Sequence, residues 1–139
     1  MELPSNTIKL ETKDFTFDMH AKVYKDDPII NNVLLTVKVV SNDFSGAMEM
    51  DVGSLDLDEF VSKLTMIYKT LKGEARIEEP YGNKCFINFK IDRTGHVEVS
   101  GKLVVSSQQL LFENIFDQTY LEKFVKNLAE TDKWQDIIL

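Results

Sequence analysis

The sequence predicts an α+β fold, with a largely antiparallel sheet of about six to eight strands and two helices packed on one face. Three observations lead to this prediction. Apolar and polar residues alternate over most of the chain, as in half-buried strands. Two segments instead repeat apolar residues every three or four positions, as amphipathic helices do. Turn residues separate the strand-like runs, and the βαβ rhythm of a parallel sheet is missing from the sequence.

The first part of the chain has the two-residue period of strands. Apolar residues alternate with polar ones over residues 15–21 and again over residues 33–39. The segment Lys25-Asp26-Asp27-Pro28 between them has the chemistry of a turn. A shorter strand is expected over residues 46–52, after a loop at residues 42–45.

The first helix is predicted from Leu57 to Leu71, because its apolar residues fall on one stripe. Asp56 followed by Glu59 resembles a capping arrangement at its start. Gly73 is expected to end the helix in the left-handed conformation.

The second half repeats this plan. A second helix is expected to start near Asp117 or Thr119, and Thr119 and Glu122 have the spacing of a capping box. Its apolar stripe is Tyr120, Leu121, Phe124, Val125 and Leu128. Four strands precede it, at residues 74–79, 85–91, 97–105 and 110–114, with turns at residues 79–83 and 92–95.

An internal duplication is one interpretation of this repeated plan. The segment starting at Leu57 and the segment starting at Leu121 share four of eight residues, at an offset of 64 positions (121 − 57). The other interpretation is that any amphipathic helix covering a sheet uses Leu, Phe and Val. The sequence leaves both interpretations open.

Length and charge restrict the classes of protein that fit. With 139 residues the chain is expected to form one domain, residues 1–139, that needs neither disulfide nor metal to fold. The formal net charge of -7 argues against nucleic acid as a partner and permits a basic protein partner, although such a charge also serves solubility. The N-terminal residues lack the pattern of a signal peptide, and no apolar stretch is long enough to span a membrane. A cytoplasmic location is therefore expected.

The sequence shows no assembled catalytic or metal site. Cys85 is the single cysteine and falls on the apolar side of a strand, while His20 falls on the polar side of its strand. His96 follows the turn glycine Gly95 and is expected to form a local hydrogen bond there. These residues lack the spacing of a zinc site, and no phosphate-binding glycine loop or calcium loop occurs. We therefore expect no catalytic residue, no cofactor and no metal.

Two sets of residues are candidates for binding a partner. The C-terminal apolar residues either dock on the core of the chain itself or form a dimer contact, so a monomer and a homodimer both remain open. These residues are Trp134, Ile137, Ile138 and Leu139. The candidate contacts with a basic protein lie around the first helix and around the Pro-Tyr-Gly turn, and they are Asp51, Asp56, Asp58, Glu59, Glu78, Glu79 and Tyr81.

Several short motifs, taken together, resemble one family. They are Phe44-Ser45-Gly46, Leu57-x-x-Phe60-x-x-x-Leu64, Leu71-x-Gly73-Glu74-Ala75, Asp92-x-x-Gly95-His96-Val97-x-Val99 and Asp117-Gln118-Thr119-x-Leu121. This arrangement resembles the WapI-type immunity proteins of bacteria and their uncharacterised relatives. The resemblance covers roughly residues 33–128, and residues 1–32 match no named family segment. It implies a cytoplasmic antidote that binds and blocks the toxic, often nuclease, tip of a contact-delivered toxin.

Three hypotheses about function follow. The first is a non-catalytic immunity protein that neutralises a cognate toxin by stoichiometric binding. The second is a self-associating scaffold that uses the C-terminal apolar residues. The third is a small enzyme with a carboxylate-based site, although a chance pair of carboxylates is expected among 23 acidic residues.

Overall fold

The computed structural model describes residues 2–25, 32–82 and 84–139. The turn predicted at Asp26-Asp27-Pro28, and Asn83 of the later turn, lie outside these described residues. Over the described residues the chain forms nine strands and two α-helices. The strands are β1 (Ile8–Glu11), β2 (Phe15–Tyr24), β3 (Val33–Ser41), β4 (Phe44–Val52), β5 (Gly73–Glu78), β6 (Phe86–Ile91), β7 (His96–Val105), β8 (Gln108–Asp117) and β9 (Gln135–Ile138). The helices are α1 (Ser54–Thr70) and α2 (Leu121–Ala129), and two 3-10 turns span Gln118–Tyr120 and Thr131–Lys133.

The strands divide into two sheets. The first has the order β1-β2-β3-β4, and β9 also pairs with β2, in the parallel sense, beyond the end of β1. The second is the antiparallel meander β5-β6-β7-β8. The predicted α+β class and the largely antiparallel pairing are confirmed. Among the described residues β4 pairs only with β3 and β5 only with β6, and α1 connects the two sheets.

The two sheets and the two helices share one apolar core. At its centre lie four phenylalanine rings, one from β2, one from β6 and one from each helix. The Phe17 ring lies 5.7 Å from that of Phe89 and 5.9 Å from that of Phe124, and Phe60 lies 6.1 Å from Phe89. Each such pair adds about 0.5–1.5 kcal/mol beyond simple burial. The core therefore joins residues from both halves of the chain.

The start of α1 differs from the prediction. The helix begins at Ser54 after the N-cap residue Gly53, so the predicted cap at Asp56 with Glu59 is wrong: no side chain of the described residues caps the helix from the N-cap position. The Asn32 side-chain oxygen instead accepts a hydrogen bond of 3.0 Å from the Ser54 amide. A residue 22 positions away thus satisfies one of the unpaired amides of the first turn.

The helix also ends at a different residue from the one predicted. Leu71 takes the left-handed conformation, with φ of 55°, and its amide bonds to the Ile67 carbonyl. Gly73 also has a positive φ, 96°, but it already begins β5. The predicted role of Gly73 as the helix terminator is therefore wrong, and Leu71 holds the strained position.

The second helix starts at Leu121, later than the predicted Asp117 or Thr119, and Asp117 instead caps the 3-10 turn before it. The Asp117 carboxylate accepts a hydrogen bond of 2.9 Å from the Thr119 amide and begins the 3-10 turn that leads into α2. Among the described residues Thr119 and Glu122 form no capping box, because α2 itself starts only at Leu121.

The two halves of the chain repeat one topology, which supports the duplication. Each half is a four-stranded meander followed by a helix. The offset of 64 residues carries β3 onto β7 and β4 onto β8 within one residue at each end. It also carries Asn42 onto Ser106, and the two residues have positive φ values of 55° and 56° in their hairpin turns. Each helix packs mainly on strands of the other half, α1 on β5 and β6 and α2 on β1.

Candidate partner-binding surface

Part of the predicted acidic surface is brought together where β4 and β5 end. The Asp51 amide, near the end of β4, donates a hydrogen bond of 3.1 Å to the Glu79 carboxylate, just after β5. Together with Tyr81 and Gly82 these residues line a shallow pocket of about 230 Å³. The Tyr81 side chain is 75% exposed, so it is not folded back over its own turn. An exposed aromatic ring beside two carboxylates is a suitable anchor for a cationic partner.

The remaining acidic residues lie on the first turns of α1 and on β5. Asp56, Asp58 and Glu59 are all exposed, and Glu59 pairs with Lys63 at 2.9 Å. The helix α1 begins at Ser54, three residues after Asp51. The first turns of α1 therefore follow the pocket residue Asp51 closely in the sequence. We call Asp51, Asp56, Asp58, Glu59, Glu79 and Tyr81 the acidic face.

Glu78 is only partly available to a partner. It lies on the outward side of β5, and its carboxylate contacts Arg76 at 3.3 Å. The Arg76 guanidinium also lies over the Phe86 ring, 3.9 Å from its centroid. Arg76 therefore neutralises part of the negative charge at this position.

Leu55 is a further exposed residue at the start of α1, and the sequence analysis missed it. Its side chain is 82% exposed at the start of α1, between the acidic residues and away from the core. A signal was present in the sequence, because Leu55 falls outside the apolar stripe that contains Leu57 and Phe60. A large apolar side chain on an exposed helical face is a further candidate contact.

The C-terminal residues divide between the core and the surface. Trp134 is fully buried, and its indole nitrogen donates a hydrogen bond of 3.1 Å to the Leu128 carbonyl. Ile137 and Ile138 lie on β9 with 46% and 38% of their surface exposed, and Leu139 is 89% exposed. Trp134 thus docks on the protein's own core, whereas the last three residues are open to a second molecule.

His20 lies on the outward side of β2, as expected for the polar side of its strand, but it is fully buried. Its Nε2 lies 3.0 Å from the Asp136 carboxylate, and the other oxygen of Asp136 accepts a hydrogen bond of 3.0 Å from Asn6. Residues from both ends of the described chain therefore cover this histidine. The arrangement joins β9 to the first sheet and leaves His20 inaccessible to a substrate.

The other candidate chemical groups stand apart. His96 Nδ1 lies 2.7 Å from the Thr94 hydroxyl, which confirms the predicted local hydrogen bond at the hairpin. Cys85 is buried, and burial raises the pKa of its thiol. Register places Cys85 beside the end of β7 near Leu103, whereas His96 begins β7, so the two lie at opposite ends of the β6–β7 pair.

One carboxylate has a raised pKa, but it does not lie in a cleft. Burial raises the pKa of Asp18, while the nearby cations Lys9 and Lys38 act in the opposite direction. One of its oxygens is buried without a hydrogen-bond partner among the described residues. Asp18 does not line any of five surface pockets, with volumes between about 230 and 720 Å³, that the described residues form.

An apolar cleft separates the two hairpins that end in Asn42-Asp43 and Ser106-Ser107. It has a volume of about 560 Å³ and is lined by uncharged residues, among them Phe44, Leu103, Val105 and Leu110. Phe44 is 69% exposed at its rim. Exposed apolar surface of this kind is typical of contacts between proteins.

Over residues 2–25, 32–82 and 84–139, no group of three or more His, Cys, Asp or Glu side chains is placed to hold a metal ion. No helix in this described part of the chain is both long enough and apolar enough to cross a membrane.

Comparison with known proteins shows the family. The model of the immunity protein WapI-like family matches residues 3–134, nearly the whole chain. The chain belongs to this family. The match also includes most of the N-terminal segment, which the sequence motifs alone left unassigned.

The other comparisons add little. No curated protein matches the chain significantly. Among solved structures, a chain from the "Crystal structures of trypanosoma bruciei MRP1/MRP2" is similar at 8% sequence identity and a TM-score of 0.47, and the alignment covers 94% of this chain and 87% of that chain. A similarity at this level carries no argument about fold or function.

Proposed function

We propose that the protein is an immunity protein that neutralises a cognate toxin by stoichiometric, non-catalytic binding, acting in the cytoplasm as one domain. Membership of the immunity protein WapI-like family is the observation that carries this proposal. The acidic face is the proposed contact with a basic region of the toxin. Its charge complements such a region, and complementary charge accelerates encounter and selects the partner.

The composition of the acidic face supports this assignment. It combines carboxylates with the Tyr81 ring, which is 75% exposed, and Leu55, which is 82% exposed, precedes Asp56 of the face along α1. Protein interfaces usually derive most of their binding energy from a few such anchors, while charges at the rim set the rate and the specificity of association. Tyr81 and Leu55 would act as anchors and the carboxylates as the selective rim.

The test is capture of the partner by the tagged protein from a lysate of the source bacterium, followed by calorimetry with the purified toxin domain. Charge reversal by Asp58→Lys or Glu79→Lys should weaken binding about tenfold at low salt, because each variant places a cation opposite a basic surface. Raising the salt concentration should weaken binding by the wild type more than binding by the variants.

Glu113→Lys is the matched control, because Glu113 is an exposed carboxylate on β8, outside the acidic face. This variant should bind as the wild type does. Equal affinity of all four proteins would show that the toxin binds elsewhere. Capture of a partner that lacks toxic activity would reject the immunity function itself.

Self-association is a second candidate, favoured by the exposure of Ile137, Ile138 and Leu139 on β9 and after it. These residues lie at one edge of the first sheet, where a second copy could pair with β9. Light scattering of the wild type and of a variant lacking residues 137–139 separates the two cases. A dimer that becomes a monomer on truncation supports self-association, and a monomer in both cases rejects it.

A further inference from the structure

A second groove, distinct from the acidic face, lies between β1 and α2. Its volume is about 720 Å³, larger than that of either the acidic pocket or the apolar cleft. On one side it is lined by Asn6, just before β1, and by Lys9 and Glu11 of β1, and on the opposite side by Lys123, Asn127 and Lys133. One wall is thus a strand and the other is a helix with the residues that follow it.

The unequal length of the two helices accounts for this opening. The helix α1 has 17 residues and packs against β5 and β6 of the second half. The helix α2 has the equivalent place in the repeat but only nine residues, and among the strands it packs mainly against β1. Because α2 ends early, it covers less of the neighbouring sheet than α1 does, and the flank of β1 is left open.

The charge of this groove is opposite to that of the whole protein. Three of its side chains are lysines and one is a glutamate, in a chain with a net charge of -7. Lys133 pairs with Glu130, and Lys9 lies opposite Asp18 of β2, whereas no carboxylate of the described residues lies within ion-pair distance of Lys123. Lys123 is therefore the cation of the groove that is most available to a ligand. A cationic groove on an acidic protein selects an anionic group.

The strand that forms one wall is also an edge strand. In the described part of the chain β1 pairs with β2 on one side, and no strand pairs with its outer side. The backbone N–H and C=O groups of an outer edge can form hydrogen bonds with an added extended segment. The groove therefore combines a strand edge for the backbone of such a segment with lysines for its side chains.

We propose that this groove binds an extended, acidic peptide segment of a partner protein, which adds to the edge of β1 and places its carboxylates near Lys9, Lys123 and Lys133. This binding site is separate from the acidic face and does not depend on the proposed toxin contact. The groove would recognise an acidic segment whatever the acidic face binds.

The test uses a fluorescein-labelled peptide of four Val-Glu repeats and the full chain at about 20 mM salt, with fluorescence anisotropy as the readout. The wild type should bind this probe, and Lys123→Glu should weaken binding about tenfold because it reverses a charge in the groove. Lys126→Glu is the matched control: it makes the same change three residues further along α2, on an exposed residue that pairs with Glu122 outside the groove.

Amide chemical shifts report the place of binding. Changes confined to residues 6–11, residues 119–127 and Lys133 support the proposal. No binding of the Val-Glu probe by the wild type, or an equal loss in Lys123→Glu and Lys126→Glu, would overturn it. Tighter binding of a labelled oligothymidine than of the peptide would also overturn it, because the groove would then select phosphate rather than an acidic peptide.

Discussion

Substitution of Gly101 by alanine should destabilise the fold more than any other single methyl group added at a glycine of the two sheets. Gly101 is buried in β7, and a Cβ atom at this position would lie 2.6 Å from two ring carbons of Phe112 and 2.7 Å from the Phe86 carbonyl oxygen. Ordinary contacts of a Cβ atom are 3.4–4 Å. In the first half of the chain the equivalent position, 64 residues earlier, is Val37. In the second half the Phe112 ring therefore occupies the space that the Val37 side chain occupies in the first.

The loss of stability in Gly101→Ala depends on which of the neighbouring atoms can move away from the added Cβ. The Phe112 ring can shift only by disturbing its own packing, and the Phe86 carbonyl belongs to the backbone of the neighbouring strand β6. Overpacking of a core costs about 1–3 kcal/mol, and a backbone obstacle places this case near about 3 kcal/mol. For a chain of this length that corresponds to a fall in Tm of about 10 °C.

Gly46→Ala is the control, because the nearest atom to its added Cβ is the end of the Leu110 side chain at 3.0 Å, which can rotate away. Its cost should be about 1 kcal/mol or less. Urea unfolding followed by the fluorescence of Trp134, the single and fully buried tryptophan, measures both variants. The reasoning is refuted if Gly101→Ala is no less stable than Gly46→Ala.

Four other substitutions test the C-terminal docking and the carboxylates. In urea unfolding followed by circular dichroism, Trp134→Ala should lower the free energy of unfolding by about 3–5 kcal/mol. Leu139→Ser, at a position 89% exposed, should change it by no more than about 0.5 kcal/mol. Equal effects of the two substitutions would contradict the buried position of Trp134. A hydrogen bond from the Thr94 hydroxyl lowers the pKa of Asp92 in the folded state. The ionised Asp92 carboxylate therefore stabilises the fold above its unfolded-state pKa of 3.8, and this stabilisation is lost as the pH falls through the folded-state pKa. Asp92→Asn should therefore be less stable than the wild type at pH 6, with the difference shrinking below about pH 4, and a constant difference would contradict this. Burial raises the pKa of Asp18, so the pH dependence of stability has the opposite sign. The contribution of Asp18 to stability is lost as the pH rises through its folded-state pKa. Asp18→Asn should therefore gain stability relative to the wild type between about pH 3 and pH 7.

The local features of the fold could be predicted from the sequence because they depend on neighbouring residues. The alternation of apolar residues gives the strands, and the stripe from Leu57 to Leu71 gives α1, since both periods are properties of short segments. The start of α1 could not be predicted, because its first amide bonds to Asn32, 22 residues earlier. The same limit applies to the division into two sheets, since an alternating pattern marks the buried side of a strand but not the sheet that the strand joins.

The candidate site was only partly predictable for a related reason. Exposed acids can be recognised from the sequence, but the contact between Asp51 and Glu79 joins residues 28 positions apart through the meeting of two strand ends. The groove beside β1 was missed entirely, because its lysines come from residue 9 and from residues beyond 120 and converge only through the packing of α2. Whether the acidic face binds a toxin remains a prediction.

The exchange of helices between the two halves bears on the ancestry of the chain. Over the described residues α1 packs mainly on strands of the second half and α2 mainly on β1 of the first, so each helix is covered mainly by the other half. A precursor with only one repeat would have buried its helix against a second copy of itself, and duplication would have joined two such subunits covalently. If the halves arose by duplication, each could diverge separately once both shared one chain, and the unequal lengths of α1 and α2 are one difference of this kind.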